Sequence, residues 1–320
     1  MFRALLNSQR NEDDLLPMEK YKLEHVLNEA TAANGRLLST ECEEIAEGKG
    51  FLSIITRVHL EWDSYSSEDL DKLPDRVIIK QPTLEKIKQV EAAAAEDIFD
   101  IQTLRQVHNR EVSCYRYFTA NGSRPPFPMA TCYYTEEASE SRAGMLILKD
   151  LGKEAVSTAF NEYLNVAKME ELMKIIGEMQ AYSMQHTGWE EFKILWKRSP
   201  DGTPSDELCA MIDYQLMHAG SPYGDFSGCM IMHMSADDRR RHDQRLIELY
   251  YNTLSKHLGK APPFTLEEVK EGYQQVLPMF AFSFMNLFKM FFVIMNPTED
   301  KRFNLIRQLN AAIEDSGIVE

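Results

Sequence analysis

The stretch "LCAMIDYQLMHAGSPYGDF", Leu208 to Phe226, decides how the fold of this chain is interpreted. Its first half is apolar and predicts a buried strand, which ends at the carboxylate of Asp213. A polar loop punctuated by Gly and Pro follows this strand. These residues alone leave two interpretations of Asp213 open. It is either a metal ligand at the mouth of a core strand or a structural Asp held by hydrogen bonds.

The composition limits the class of protein. The chain has 320 residues, 44% of them hydrophobic and 27% charged, which is typical of a globular protein with a real core. The net charge of −15 argues against nucleic acid or an anionic membrane as the main partner, because binding to phosphates needs a basic surface. We therefore expect neither partner.

The cysteines indicate a reducing compartment. They are scattered, odd in number and contain no C-x-x-C pair, which argues against a disulfide framework and against a cysteine zinc site. Free thiols and a cytoplasmic location are therefore expected. The cysteines are Cys42, Cys114, Cys132, Cys209 and Cys229.

One segment, "VLPMFAFSFMNLFKMFFVIM" (Val276 to Met295), is long enough to cross a bilayer. Pro278, Asn286 and Lys289 interrupt it, and charged residues flank it on both sides. Because intramembrane charges are costly, we predict a buried core helix and no membrane span.

The character of the chain changes near Asp150. Before this residue short β-like runs dominate, interrupted by one helix from Thr103 to Phe118. After it, helical spacing prevails, with a capping box at Ser235 to Asp238 that begins a charged helix with a solvated arginine face. One hairpin, "ILWK" to "LCAMID", interrupts these helices. We predict an α+β protein with a β-rich N-terminal lobe, residues 1–150, and a larger helical C-terminal lobe, residues 151–320.

The N-terminal part contains three features in the order of a kinase-type nucleotide site. Gly48 and Gly50 form a turn whose N–H groups could approach a phosphate. Lys80 ends the strand "RVIIK", and Glu111 lies on the following helix. Each feature also has a purely structural interpretation, since a hairpin turn needs glycine too and both charged side chains could simply be exposed to solvent.

The segment "GMLILKDL", Gly144 to Leu151, has the form of a buried edge strand that leaves through a short connector. In a two-lobed kinase such a connector offers backbone groups to adenine. The connector residues Lys149, Asp150 and Leu151 are therefore candidates for nucleotide binding. Asp213 would then be the magnesium ligand.

These motifs together resemble the choline/ecdysteroid-kinase-like (CHK kinase-like) family, most of all its nematode branch, which is related to aminoglycoside phosphotransferases and choline kinases. The strings are "EGKGFLS", "VIIK", "HNREVSCY", "GMLILKDL", "ILWKRSPDG" and "AMIDYQLMHAGSPYGDF". The similarity extends from about the first helix to the C-terminus. It implies a protein-kinase-like two-lobed fold, ATP and Mg²⁺ as cofactors, and a small-molecule acceptor that the sequence does not identify.

The resemblance also assigns roles to single residues. Lys80 matches the lysine that contacts the phosphates, and Glu111 matches its partner. Asp213 matches the metal-binding Asp, and Asp225 matches an Asp that braces the catalytic loop from below. The site implied by the family thus draws on both halves of the chain.

The catalytic loop of the family, which reads roughly H-G-D-L-W-x-x-N-x-L-W, is not found in this chain. Aligned without gaps from Trp196, Gly188 stands in the place of the catalytic Asp and Lys193 in the place of the metal-binding Asn. A deletion explains this better, because the family has a long helical stretch before the loop that is missing here, and the C-terminal lobe is therefore incomplete. Glu190 and Glu191 are the only stand-ins for the base, and each is more simply a solvated acid.

Three interpretations of the whole chain follow. It is a phosphotransferase by family resemblance that is inactive as given, a pseudokinase-type nucleotide-binding or scaffold module, or a truncated isoform. We assign no catalytic residue.

Overall fold

A computed structural model describes residues 16–45, 52–84, 88, 100–119, 125, 127–156, 162–185, 193–198, 204–212, 222–295 and 297–317. Helices and antiparallel strands are mixed within these ranges, which confirms the α+β class. The chain divides into two compact units. The first unit consists of Met1–Tyr115 and Ala130–Asp150, and the second of Arg116–Met129 and Leu151–Glu320.

The first unit is built on a five-stranded sheet in which all described neighbours are antiparallel, with the order β1-β2-β3-β5-β4. The prediction that Gly144 to Leu151 forms an edge strand is wrong. This segment forms β5, which lies between β3 and β4, and four of its five residues are buried. The strands are β1 Arg36–Glu44, β2 Ser53–Asp63, β3 Arg76–Pro82, β4 Cys132–Glu136 and β5 Met145–Lys149.

The core of this unit lies between the sheet and the first helix, α1 Lys20–Thr31. Leu23 and Leu27, one turn apart on α1, are fully buried and belong to one cluster with the inward residues of the strands. A short helix, α2 Ser67–Lys72, follows β2. The close packing of Leu23 and Leu27 in this cluster holds α1 against the sheet.

The third helix, α3, extends over Ile101–Thr119 and confirms the helix predicted for Thr103 to Phe118. It begins where the Asp100 carboxylate accepts a 2.6 Å hydrogen bond from the N–H of Thr103, as an N-cap residue does. From Arg116 onward its residues belong to the second unit. The part of α3 in the first unit carries Glu111.

The second unit is mainly helical in its described part. It contains a three-stranded antiparallel sheet of order β6-β7-β8, in which Lys193 at the start of β7 pairs with Ile212 at the end of β8. The predicted hairpin is thus confirmed, while its turn lies outside the described residues. The elements are β6 Ala155–Val156, α4 Val166–Gln185, β7 Lys193–Arg198, β8 Pro204–Ile212, α5 Pro222–His233, α6 Ala236–Leu258, α7 Leu266–Met295 and α8 Glu299–Asp315.

The predicted capping box begins α6. The Ser235 hydroxyl accepts a 3.1 Å hydrogen bond from the N–H of Asp238. The expectation of a solvated arginine face is wrong for Arg239, which is only 2% exposed. Its guanidinium donates a 2.6 Å hydrogen bond to Asp315 of α8, and this carboxylate supplies the countercharge that a buried arginine needs.

The helix predicted to be a buried core helix is buried on one side only in the part whose side chains the structure describes. In α7, Leu277 and Ala281 are fully buried, whereas Met279, Phe282 and Met285 are 55%, 49% and 36% exposed. Pro278 lies inside the helix. Among the helices that the structure describes, none has the length and the hydropathy of a membrane-spanning segment.

Candidate functional site in the first unit

Lys80 lies on an inner strand, where a lysine is unusual. It pairs with Ile55 of β2 on one side and with Leu146 of β5 on the other. Its side chain is 8% exposed, and β3 continues for two residues beyond it to Pro82. A buried ammonium needs a countercharge, because taking an ion out of water costs several kcal/mol even after the protein relaxes around it.

Glu111 supplies that countercharge. The Lys80 ammonium donates to both carboxylate oxygens of Glu111, at 2.9 Å to Oε1 and 2.8 Å to Oε2. The Glu111 side chain is fully buried. The alternative that these two residues are exposed to solvent is therefore wrong. Strand β3 and helix α3 bring the predicted pair together, while its role toward a nucleotide stays a prediction.

His108 and Tyr115 share the buried face of α3 with Glu111, since residues three or four apart line one side of a helix. His108 Nε2 donates a 2.9 Å hydrogen bond to the carbonyl oxygen of Glu136. Because a carbonyl only accepts, Nε2 carries the proton of this imidazole. Burial lowers the pKa of His108, the bond to Glu136 partly opposes this, and the charge of Lys80 lowers it further. The neutral ring is therefore favoured.

Asp150, at the end of β5, is held by two arginines. The Nε groups of Arg57 and Arg76 donate to its Oδ2 at 2.8 Å and 3.1 Å, and the carboxylate is only 3% exposed. Arg57 also bonds to Glu43 at 3.2 Å. Sequence reasoning missed both arginines. Their positions in β-like runs gave no sign that they would converge on one distant carboxylate.

The other connector residues already use some of their backbone groups. The N–H of Lys149 donates a 2.8 Å hydrogen bond to the carbonyl of Thr131. The carbonyl of Leu151 accepts from the N–H groups of Glu154 and Ala155 at 2.8 Å and 2.7 Å. The Lys149 N–H and the Leu151 carbonyl are thus already hydrogen-bonded to other backbone groups of the protein. Its contact with adenine stays a prediction.

Asp225 lies in the first turn of α5, in the second unit. Its Oδ2 accepts a 3.2 Å hydrogen bond from Gln180 of α4, whose amide oxygen accepts in turn from the Tyr250 hydroxyl of α6. Burial raises the pKa of Tyr250 well above its ordinary range, so this hydroxyl stays protonated and can donate. Asp225 thus connects three helices, and its predicted role as a brace of the catalytic loop stays a prediction.

Several predicted site residues lie outside the described residues. Gly48 and Gly50 belong to the connection between β1 and β2, and Asp213 follows directly after β8. The segment 186–192, which includes Gly188, Glu190 and Glu191, is also outside them. Within the described part of the chain no three His, Cys, Asp or Glu side chains come close enough together to hold a metal ion.

The first unit thus has a recognisable pattern, an antiparallel sheet whose inner strand shares a buried Lys–Glu pair with a helix. The family model DUF1679, described as "Uncharacterized oxidoreductase dhs-27", matches residues 23–192 and 152–315 of the chain. The chain belongs to this family. The two matched stretches overlap at residues 152–192.

The chain is also similar to a curated protein and to a solved structure. It is 26% identical over 106 residues to "Uncharacterized kinase-like protein D1044.1" of Caenorhabditis elegans, and the alignment covers 33% of the chain but only 25% of that relative. A crystal structure from Ralstonia eutropha JMP134, of a candidate aminoglycoside phosphotransferase, is 11% identical with a TM-score of 0.48, over 94% of this chain and 99% of that one. The family match and the nematode relative confirm the kinase-like nematode family expected from the sequence.

Proposed function

We propose that this protein binds ATP and Mg²⁺, with Lys80 and Glu111 of its first unit at the nucleotide phosphates, and derives from phosphotransferases that act on a hydroxyl of a small molecule. The buried Lys80–Glu111 pair carries the proposal. A buried ion pair is weak support for stability, because desolvation consumes most of the Coulomb gain. A kinase-type site, however, needs a lysine held by a glutamate to contact nucleotide phosphates. A role in nucleotide binding therefore explains why a lysine and a glutamate are buried together against this sheet.

The chain as given is proposed to lack phosphoryl transfer. Gly188 cannot accept a proton, and a cation such as Lys193 repels a metal ion where an amide ligand is needed. The two stretches that match the family model overlap at residues 152–192, directly before the proposed deletion. This overlap supports a break in the family pattern at that place in the sequence. Asp213 is the residue that would hold Mg²⁺, whose chemistry is to neutralise charge on the phosphates. A pseudokinase-type scaffold or a truncated isoform remains the alternative.

The word oxidoreductase in the description of the family does not fit the described fold. A dinucleotide-binding domain of dehydrogenase type uses a mainly parallel, doubly wound sheet with a glycine-rich turn between strand and helix. Every strand pair that the structure describes in this chain is antiparallel. The geometry therefore favours the kinase-type proposal over hydride transfer.

The test compares thermal unfolding with and without ATP and Mg²⁺ in the natural chain and in the double variant Lys80→Met/Glu111→Leu. Replacing both partners of a buried ion pair with apolar residues of similar volume is often neutral for stability. The natural chain should be stabilised by about 2.7 kcal/mol at a nucleotide concentration of 100 Kd. The double variant should remain folded and show no stabilisation by ATP.

The control is Lys72→Met, which removes an exposed ion pair with Glu68 on α2 and should leave the ATP response unchanged. A folded natural chain without any response at millimolar ATP would contradict the proposal. So would a double variant that responds as strongly as the natural chain.

A further inference from the structure

Glu111 reaches Lys80 only while α3 keeps its position against the sheet. We propose that Asn109 is a positioning residue, which anchors α3 to the connection between β4 and β5 and keeps the Lys80–Glu111 pair assembled before any ligand binds. The inference deepens the proposed nucleotide site and rests on the proposed function for its effect on ATP binding. The effect on the ion pair itself needs no ligand.

The side-chain amide of Asn109 makes a two-point contact with the main chain of Ala138. Its Nδ2 donates a 3.0 Å hydrogen bond to the Ala138 carbonyl, and its Oδ1 accepts a 2.7 Å hydrogen bond from the Ala138 N–H. Ala138 is 7% exposed and Asn109 is half-buried, so both bonds are partly shielded from bulk water. One side chain thus satisfies both polar groups of a buried backbone residue, which would be costly to leave unpaired.

The position of Asn109 on the helix determines how this contact restrains the movement of α3. Successive residues of an α-helix are about 100° apart, so Asn109 and Glu111 project about 200° apart around the axis of α3. One contact therefore holds the helix on the side of Lys80, and the other holds it on nearly the opposite side. A rotation or a sideways shift that withdraws Glu111 from Lys80 must break the contact of Asn109 with Ala138.

Two further features fit the helix to this connection. His108, the neighbour of Asn109, donates to the Glu136 carbonyl at the end of β4. Gly144, just before β5, has a φ of +83°, and a Cβ at this position would come within 2.5 Å of His108 Nε2 and 2.8 Å of the Ala138 nitrogen. The connection between β4 and β5 therefore packs directly against the turn of α3 that precedes Glu111. At Gly144 this packing leaves no room for a side chain.

The experiment measures how fast an amine-acylating reagent modifies Lys80 in the absence of nucleotide, by mass spectrometry of the modified peptides, with the exposed Lys260 as internal reference. We expect Asn109→Ala to raise the rate at Lys80 about tenfold, because two hydrogen bonds that oppose local opening are lost. Asn109→Asp keeps the acceptor for the Ala138 N–H but loses the donor, and should give a smaller increase.

Two controls separate positioning from general loss of stability. Gln106→Ala changes an exposed amide on the same helix and should leave the rate at Lys80 unchanged. Val26→Ala weakens the core of the same unit without touching α3. At equal loss in Tm, Val26→Ala should raise the rate at Lys80 much less than Asn109→Ala does.

The inference is overturned if neither Asn109 variant raises the rate, or if Val26→Ala raises it equally. ATP binding is then measured on the same proteins, and Asn109→Ala should weaken it. If the natural chain binds no ATP, the proposed function fails while the acylation rates still decide the role of Asn109. If the natural chain binds ATP and the acylation rates do not change, the function stands and this inference fails.

Discussion

At the scale of single residues, the unusual feature of this protein is charge and polarity placed inside the first unit. Lys80, Glu111, His108 and Asp150 are all buried there. Each has a partner of matching chemistry, as buried polar groups require. These partners come from different strands and from a helix, so the polar contacts fix elements relative to one another within the unit.

We expect His108 to make the stability of this unit depend on pH. Its pKa is lowered from the ordinary 6.5, chiefly by burial, so the unfolded chain binds a proton more readily than the folded one. The associated stability is fully present above pH 6.5 and is lost as the pH falls through the lowered pKa. The loss should be at most about 1.4 kcal/mol for each pH unit in that window.

The measurement is urea unfolding at several pH values, from about 7.5 down to about 5, for the natural chain and for His108→Gln. The variant should lose less stability across this range. His233, whose pKa is also lowered by burial, is present in both proteins and cancels in the comparison. Identical pH profiles would show that His108 does not carry this dependence.

How much of the site the sequence could predict differs from residue to residue. The order of a strand lysine and a helix glutamate, together with the family resemblance, predicted that Lys80 and Glu111 belong together. The contacts of Asp150 with Arg57 and Arg76 were not predictable, because they depend on which strands are neighbours and which way each side chain points. Neither property is contained in the local pattern of apolar and polar residues.

At the scale of secondary-structure elements, local sequence determines where a helix begins more directly than it determines which elements become neighbours in space. Asp100 and Ser235 begin α3 and α6 as side-chain caps, and both signals are local. The inner position of β5 is not local, because it depends on β4 folding back along its outer side. The exposed side of α7 was missed for the same reason, since an apolar helix has no pattern that tells which side is covered.

The connection between β4 and β5 gives a prediction at this scale. Gly144→Ala should destabilise the protein by at least about 2 kcal/mol, because it combines an unfavourable φ with a clash against His108 and the Ala138 backbone. Gly259→Ala is a matched control, since Gly259 has a φ of +66° and a methyl group added there would meet no atom within 4 Å.

Gly259→Ala should cost only about 1 kcal/mol, which reflects the backbone conformation alone. Chemical denaturation of both variants checks the difference. Equal losses in the two variants would mean that the connection has room to relax around a methyl group. The close fit of α3 against it would then be less restrictive than the distances indicate.

At the scale of the whole molecule, the residues predicted for nucleotide binding and those predicted for turnover belong to different parts of the sequence. The first unit holds the predicted phosphate-binding lysine with its partner in place, while the predicted metal ligand Asp213 and the catalytic segment belong to the second half of the chain. Binding and turnover are therefore separable properties here. A protein can keep the first after losing the second, because a base that acts together with its site contributes about 100-fold or more to the rate.

The last prediction tests this separation. Grafting a segment of the family type, with H-G-D and the following Asn, in front of Leu195 should give ATP consumption in the presence of small hydroxyl-bearing acceptors, whereas the natural chain should give none. The physical reason is that the graft restores a base for the hydroxyl and a second oxygen ligand for Mg²⁺. The assay measures ADP release over a set of alcohol and choline-like acceptors. Asp213→Ala in the grafted protein is the control and should abolish release, because the remaining ligands bind Mg²⁺ poorly. Activity of the natural chain that disappears on Glu190→Gln or Glu191→Gln would contradict the prediction, since one of these acids would then serve as the base.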